Sequence, residues 1–463
     1  MIFEQYYLDC LSHASYLVAD ESTGRAVVVD PQRDVAIYVR DAEEHGLTIE
    51  RVLETHVHAD FLSGHLELAA ATGAVISFGE AADASRIDFP IDPLADGQRL
   101  SLGDVTLEIL ATPGHTPESI TIAVYEHADD PEPWGVLTGD TLFVGDVGRP
   151  DLLSSVGVTA DDLGRMLYRS LRDKLLPLPD AVRVFPAHGA GSACGKQLGL
   201  ETSTTIGEQR AHNYALQPMT EAEFVAVVTD GQPAAPPYFA FDATLNRKAR
   251  AVLDEAAGVA LLTLDDVLAR QAAGAVVLDA RDAIAFAAGH LAESVNVGLE
   301  GRFAEYAGDV LHPDEDIVLV TEPGRADEAR VRLARIGFDR VIGALAEPLE
   351  TFLANPQVVE RLSRLTPSEL AERRVALPNL QLVDVRNPGE VTAGMIPGAR
   401  HIPLARLRAS LLDLDLSVPT VTYCAGGYRS IAASSLLREQ GFVDVSDLVG
   451  GYSGWTSAGG STT

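Results

Sequence analysis

The second half of the chain is written twice. Leu278-Asp279-Ala280-Arg281 returns as Val383-Asp384-Val385-Arg386 at an offset of 105 residues, and Gly289-His290-Leu291 returns as Gly394-Met395-Ile396 at the same offset. Asn296-Val297 and His401-Ile402 keep it, and Gly337-Phe338 and Gly441-Phe442 follow at 104, a net loss of one residue. A period of about 100 residues is the size of an ordinary domain. Each copy reads as helix, buried strand, D-x-R turn, helix, short strand, buried strand, loop, helix. That alternation predicts a parallel sheet with helices on both faces, built twice.

The copies part company where chemistry would sit. In the second, Cys424-Ala425-Gly426-Gly427-Tyr428-Arg429-Ser430 follows a strand-like run at 418–423 and precedes a helical pattern at 431–440. The cysteine would open a loop onto a helix N-terminus, where backbone N–H groups and the helix dipole stabilise an anion. Arg429 adds a full charge. Such surroundings lower a thiol's pKa and present it as a nucleophile, with Gly426, Gly427 and Tyr428 around the bound group. The matching stretch of the first copy, Val318-Leu319-Val320-Thr321-Glu322-Pro323-Gly324-Arg325, has no cysteine. Pro323 removes a loop donor and Glu322 opposes an anion, so this copy is expected to be catalytically silent and structural.

The first half carries a different signal. Thr55-His56-Val57-His58-Ala59-Asp60-Phe61-Leu62-Ser63-Gly64-His65 holds three histidines and an aspartate just after a strand-like run at 49–53. Imidazoles two apart can turn toward one point, and imidazole with carboxylate suits zinc, iron, manganese or nickel better than calcium or magnesium. Around this stretch, 15–19, 26–29 and 105–110 read as strands, and 35–45, 64–72 and 161–175 as helices. Residues 229–237, rich in Gly, Ala and Pro, are expected to lead out of the first domain.

The cluster resembles the H-x-H-x-D signature of the metallo-β-lactamase fold. That fold's other ligand-bearing stretches follow in order as Thr112-Pro113-Gly114-His115, Thr138-Gly139-Asp140-Thr141 and Phe185-Pro186-Ala187-His188-Gly189. The D-x-R and G-x-I-x-G-A features of the repeat resemble the rhodanese fold. The C-x4-R spacing from Cys424 resembles its sulfurtransferases, whose cysteine carries Cys–S–S⁻, rather than the phosphatases of that fold with C-x5-R. The resemblance implies an α/β multidomain chain. An αββα metallo-β-lactamase sandwich over 1–235 would precede an inactive rhodanese-like domain over 258–355 and an active one over 363–460, both with parallel sheets.

In two-zinc hydrolases of the first fold, such as glyoxalase II, the signature continues H-x-H-x-D-H. Phe61 stands at that last position and cannot ligate. The chain is more similar to persulfide dioxygenases, in which two histidines and one aspartate hold one iron. Carried over, the ligands are His56, His115 and Asp140 around one Fe(II) per chain. Such a set leaves coordination positions open, as in non-haem Fe(II) oxygenases. His58, Asp60 and His188 then orient ligands or water, or ligate directly. Arg149 either clamps a substrate carboxylate or pairs with Asp146 or Asp151. Cys194 either relays sulfur at the metal mouth or is a small buried loop cysteine.

Over nearly its whole length the chain resembles a persulfide dioxygenase fused to an inactive and an active rhodanese domain. That implies oxidation of a low-molecular-weight thiol persulfide (of glutathione, coenzyme A or similar) with O2, giving sulfite and the thiol. Cys424 would pass sulfane sulfur to sulfite, giving thiosulfate, in sulfide detoxification. The fold commonly self-associates, so a homo-oligomer is expected. The alternative is a zinc thioester hydrolase of glyoxalase II type with accessory rhodanese domains. The formal charge of −32 over 463 residues argues against nucleic acid or an anionic membrane as partner. No run approaches the ~18 apolar residues of a membrane span. The first nine residues hold early acids and no apolar core, unlike a signal peptide. Three scattered cysteines fit a reducing cytoplasm better than a disulfide framework.

Overall fold

Aliphatic runs set the architecture. In the computed structural model, which describes residues 1–82, 84–152 and 158–463, the run within Arg25–Val29 is buried throughout its last four residues, and His13–Asp20 along its whole length. Strands covered on both faces have this composition. They belong to a six-stranded sheet whose neighbours follow chain order: Ile2–Leu8, His13–Asp20, Arg25–Val29, Thr48–Leu53, Val75–Gly79 and Asp92–Leu94. The first three are antiparallel and the rest parallel. A second six-stranded sheet runs Thr204–Thr205, Arg183–Pro186, Gly135–Gly139, Ile120–Tyr125, Thr106–Ala111 and Arg99–Ser101. Its parallel pair is Gly135–Gly139 with Arg183–Pro186.

Tyr16, Val18, Val27 and Leu53 of the first sheet meet Leu107, Ile109, Ile122 and Leu137 of the second in one core. Helices Ala36–Glu44 and His65–Thr72 cover one outer face, and Ala160–Ser170 with Glu221–Thr229 cover the other. The result is an αββα sandwich. The helix read at 161–175 starts at Thr159, whose side chain accepts from Asp162 N, and ends in a π-helical turn over Leu171–Leu175.

Met1–Pro233 and Phe239–Glu255 form one compact unit, and Ala234–Tyr238 and Ala256–Thr463 the other. The first therefore runs past the boundary expected at 235. Asn246 explains why. Its carboxamide donates to the carbonyls of His58 (2.9 Å) and Phe61 (2.8 Å) and accepts from Ser63 N (2.9 Å), so this late segment braces the histidine loop.

In the second unit each copy builds a five-stranded parallel sheet with the same strand order. The first is Leu261–Leu262, Val341–Leu345, Ile317–Val320, Val276–Asp279 and Val295–Asn296. The other is Ser363–Leu365, Val445–Leu448, Thr420–Tyr423, Gln381–Asp384 and Arg400–His401. Capping boxes recur too, Thr263 with Asp266 and Thr366 with Glu369. The D-x-R turns are brackets. Arg281 grips Asp279 and the Gly289 carbonyl, and Arg386 grips Asp384 and the Gly394 carbonyl, at 2.5–3.2 Å in each copy. Among the described residues no helix is long and apolar enough to cross a membrane.

One glycine ties this fold to Cys424. Gly451 has φ +55°, and a Cβ there would lie 2.3 Å from the Cys424 carbonyl oxygen. Tyr452 N donates to that same oxygen at 2.7 Å. Gly451→Ala should therefore cost at least about 2 kcal/mol, through left-handed strain and the clash together. Denaturant unfolding of the full chain measures this, and a midpoint equal to the parent's would contradict it.

Candidate metal and sulfur-transfer sites

In the first unit the donor residues stand on loops at strand ends. Thr48–Leu53 leads to His56, His58 and Asp60, Thr106–Ala111 to His115, Gly135–Gly139 to Asp140, and Arg183–Pro186 to His188. The loops converge because backbone bonds join the two sheets there. Ile120 N donates to Thr55 O (2.8 Å), and Ala14 N to Ala187 O (2.7 Å).

His56, His115 and Asp140 come together, all buried. Asp140 Oδ2 lies 3.9 Å from His56 Nε2 and 3.4 Å from His115 Nε2. Its other oxygen, Oδ1, lies 3.4 Å from His188 Nε2, which is also 3.2 Å from Asp60 Oδ2. His115 donates Nδ1–H to the Arg149 carbonyl at 2.8 Å, and His188 donates Nδ1–H to the Ser12 carbonyl at 3.1 Å. A carbonyl can only accept, so Nδ1 carries a hydrogen in both rings, and the neutral form of each turns a bare Nε2 toward Asp140. Burial and the surrounding imidazoles hold His56 well below the usual histidine range, leaving it neutral. His56 Nε2, His188 Nε2 and both Asp140 oxygens are buried without a hydrogen-bond partner. Unmet groups of this kind cost about 1–3 kcal/mol each, and a cation held by His56, His115 and Asp140 would satisfy those on the Oδ2 side. The residues present thus fit a metal.

The remaining expected residues divide. His58 turns away from this point. Its Nε2 sits 3.0 Å from Asp30 Oδ1 and 3.3 Å from Glu54 Oε2. Burial works against charge on His58, but the two carboxylates raise it well above the usual range, and burial pushes Glu54 up to about 7. Asp60 and His188 gather instead with Cys194 in a second buried group of donors. Burial, then Asp60 and Asp140, push the Cys194 thiol up. Phe61 fills the position of the absent histidine, its ring centroid 4.0 Å from that of His13 and 4.4 Å from that of His58. Asp30, Thr55 and Glu54 were not read from the sequence as site residues. An acid closing a strand and a polar pair preceding the signature carry no spacing signal of their own.

Arg149 is not a free substrate clamp. Its guanidinium grips Asp151 in bidentate fashion at 2.7 Å and donates to the carbonyls of Ala193 and Pro233 at 3.1 and 2.9 Å.

In the second unit Cys424 follows strand Thr420–Tyr423, and Gly427 N donates to its Sγ at 3.1 Å. Helix Tyr428–Glu439 begins at once, with Gly427 at φ +106°. Arg429 lies beside the cysteine but is committed to Glu390, with two bonds of 2.7 Å. The Gly427 amide is therefore the donor that meets the sulfur directly, while the Arg429 guanidinium is paired. Tyr428 does not face the sulfur site with its hydroxyl, which donates to the carbonyls of Gly298 and Glu300 in the silent copy. Gly426 is exposed at the loop tip.

Strand register locates the lost nucleophile. Val320 pairs with Asp279 as Tyr423 pairs with Asp384, so Thr321 stands where Cys424 stands. Gly324 keeps φ +79°, the counterpart of Gly427. The silent loop still borders a cavity of about 240 Å³, lined by Glu322, Asp327 and Glu347 among others. The loop shape survives and the sign of its charge is reversed.

Residues 8–188 match the metallo-beta-lactamase superfamily, and residues 263–352 and 366–458 each match the rhodanese-like domain. A mitochondrial persulfide dioxygenase of Bos taurus is 31% identical over 217 residues, 46% of this chain and 75% of the relative. The chain belongs to the metallo-beta-lactamase superfamily, in fusion with two rhodanese-like domains. Members with another chemistry match as well. A cytoplasmic hydroxyacylglutathione hydrolase of Arabidopsis thaliana is 32% identical over 185 residues, 40% of this chain and 66% of the relative. Among solved structures, a metallo-beta-lactamase from Staphylococcus aureus superposes with a TM-score of 0.67 at 32% identity, covering 75% of this chain and 99% of that one.

The Arg149 pairing makes a prediction. Arg149→Met should lower stability by about 1–3 kcal/mol, the cost of stranding a partly buried carboxylate, discounted because Asp151 is a third exposed. Denaturant titration reads this. An unchanged midpoint with a raised substrate KM would return Arg149 to the substrate.

Proposed function

We propose that the superfamily domain oxidises a low-molecular-weight thiol persulfide to sulfite and that Cys424 moves sulfane sulfur to sulfite, giving thiosulfate. The observation that carries this is the His56, His115 and Asp140 set, two bare imidazoles and a carboxylate buried at one point, on the same chain as a rhodanese cysteine loop. In this reading His56, His115 and Asp140 hold one Fe(II). When bound, the ion supplies the redox chemistry that joins sulfur and dioxygen, with coordination positions left open. The balance is R–S–S⁻ + O2 + H2O → R–SH + SO3²⁻ + H⁺.

The chain's own residues do the rest. Phe61 keeps a further imidazole out of the ligand set, and its apolar ring lines the site. Asp60 and His188 stand on the Oδ1 side of Asp140, where they orient a water or the persulfide. In this reading Cys194, gathered with Asp60 and His188, relays sulfur: its thiolate takes the outer sulfur of R–S–S⁻ and R–S⁻ leaves. At Cys424 the thiolate attacks the outer sulfur of a persulfide and the thiol departs. The Gly427 amide then steadies Cys–S–S⁻ until sulfite takes the sulfur, Cys–S–S⁻ + SO3²⁻ → Cys–S⁻ + S2O3²⁻. A glutathione or coenzyme A carrier, self-association and a role in sulfide detoxification belong to the same reading.

A second reading has its own observation. Asp60, His188 and Cys194 present three donors on the far side of Asp140, enough for a second ion in spite of Phe61. That is a paired-zinc hydrolase of glyoxalase II type.

Metal analysis separates the two, with about one iron per chain expected and two zincs supporting the hydrolase. Iron-loaded protein should consume O2 with glutathione persulfide, and no uptake across a panel of persulfides rejects the oxygenase. Cys424→Ser should keep O2 uptake within about twofold of wild type while thiosulfate formation falls at least about 100-fold, the scale expected when a nucleophile is removed. An unchanged thiosulfate yield would remove Cys424 from the path.

A further inference from the structure

We infer that Thr55 and Asp30 form a relay that fixes the tautomer and bearing of His56. The inference rests on the reading of His56 as a metal ligand. Thr55 Oγ1 lies 3.0 Å from His56 Nδ1 and donates to Asp30 Oδ2 at 2.8 Å. Thr55 N donates to Asp30 Oδ1 at 2.7 Å. A hydroxyl carries one proton, and the carboxylate beside it can only accept. That proton points at Asp30, so the hydroxyl turns a lone pair to His56. The ring must then carry its hydrogen on Nδ1 and leave Nε2 bare, facing Asp140 Oδ2 at 3.9 Å. All three residues are 1% exposed, so no bulk solvent competes for these bonds.

Two backbone features hold the relay in place. Asp30 closes strand Arg25–Val29 at φ +49°, a conformation that costs a non-glycine residue about 1–3 kcal/mol and persists where the surroundings enforce it. Its N–H donates to Leu53 O at 3.0 Å, and its Oδ1 also accepts from His58. Gly139, just before Asp140, has φ +50°, and a Cβ there would lie 2.6 Å from Thr55 Oγ1. The hydroxyl thus occupies room that only glycine leaves, at the point where the His56 and Asp140 loops meet. Of the three imidazoles around Asp140, His115 and His188 donate Nδ1–H to backbone carbonyls. His56 is the one whose Nδ1 meets a side chain, so its bearing depends on residue choice. Asp30 and Thr55 are positioning residues that act through His56.

The test is metal affinity, independent of turnover. Fe(II) and Co(II) are titrated anaerobically into metal-free full-length protein against a chromophoric chelator. Thr55→Val keeps the shape and removes the hydroxyl. It should weaken binding about 10–100-fold and alter the Co(II) absorption spectrum, while Thr55→Ser restores binding to within about threefold. Asp30→Asn should weaken binding too. Thr55→Val binding within about twofold of wild type overturns the relay. Should the valine variant fail to fold, ¹⁵N-imidazole NMR of the metal-free wild type decides, with Nδ1 protonated and Nε2 bare expected and the reverse tautomer overturning it. A wild type that binds Fe(II) through this relay yet consumes no O2 with persulfide rejects the oxygenase while the relay stands.

Discussion

A single carboxylate divides the first unit's buried imidazoles. Asp140 turns Oδ2 to His56 and His115 and Oδ1 to His188, and neither oxygen has a hydrogen-bond donor. A charge stranded in this way is costly unless a cation joins it, so metal binding and local stability are linked here. The surrounding backbone yields to that carboxylate. A Cβ at Gly148 would lie 1.9 Å from the Asp140 carbonyl oxygen, and one at Gly139 would strike Thr55. The loops of two sheets close over the residue because glycines let them.

One carboxylate is shared between two sides of different donor chemistry. On the Oδ2 side the donors are the imidazoles of His56 and His115. On the Oδ1 side they are Asp60, His188 and Cys194, and the residue that would complete a further imidazole is the phenyl ring of Phe61, wedged between His13 and His58. The outcome hangs on whether a thiol whose ionisation is opposed by burial and by two carboxylates joins an ion. A mononuclear centre on the Oδ2 side leaves that thiol outside the ligand set.

Much of this was legible in the sequence, for physical reasons. The donor residues stand in motifs that keep their order, and the resemblance to persulfide dioxygenases singled out His56, His115 and Asp140, which the structure brings together. The two rhodanese-like copies rest on strand and helix periods and on the D-x-R turn, whose arginine brackets its own aspartate. What escaped were properties of meeting surfaces. The Arg149–Asp151 pair is one of two readings that the sequence leaves open, but no local pattern says that Arg149 will also find the Ala193 and Pro233 carbonyls, or that Glu390 will take up Arg429. Asn246 lies 188 residues after the His58 carbonyl that it braces, so the true extent of the first unit was invisible as well. The Asp30 to Thr55 link joins neighbouring parallel strands, a proximity that only sheet order reveals.

The silent copy shows how fold and chemistry separate in this chain. Both copies keep the arginine bracket, the capping box and the left-handed glycine of the loop, because each satisfies buried polar groups or a backbone turn that the sheet requires. Exchange of a cysteine for Thr321 disturbs none of these, so the nucleophile can vanish while the domain persists. What holds the silent copy in service is contact. Tyr428, the first residue of the helix behind Cys424, donates to the carbonyls of Gly298 and Glu300, and its ring centroid lies 5.3 Å from that of Tyr306. Asp309, on the same helix as Tyr306, is pushed well above the usual carboxylate range by burial and by Glu305. The copy without the cysteine thus forms the floor on which the cysteine loop of the other rests. At Cys424 itself the Gly427 amide donates to Sγ, while the Arg429 guanidinium is paired with Glu390.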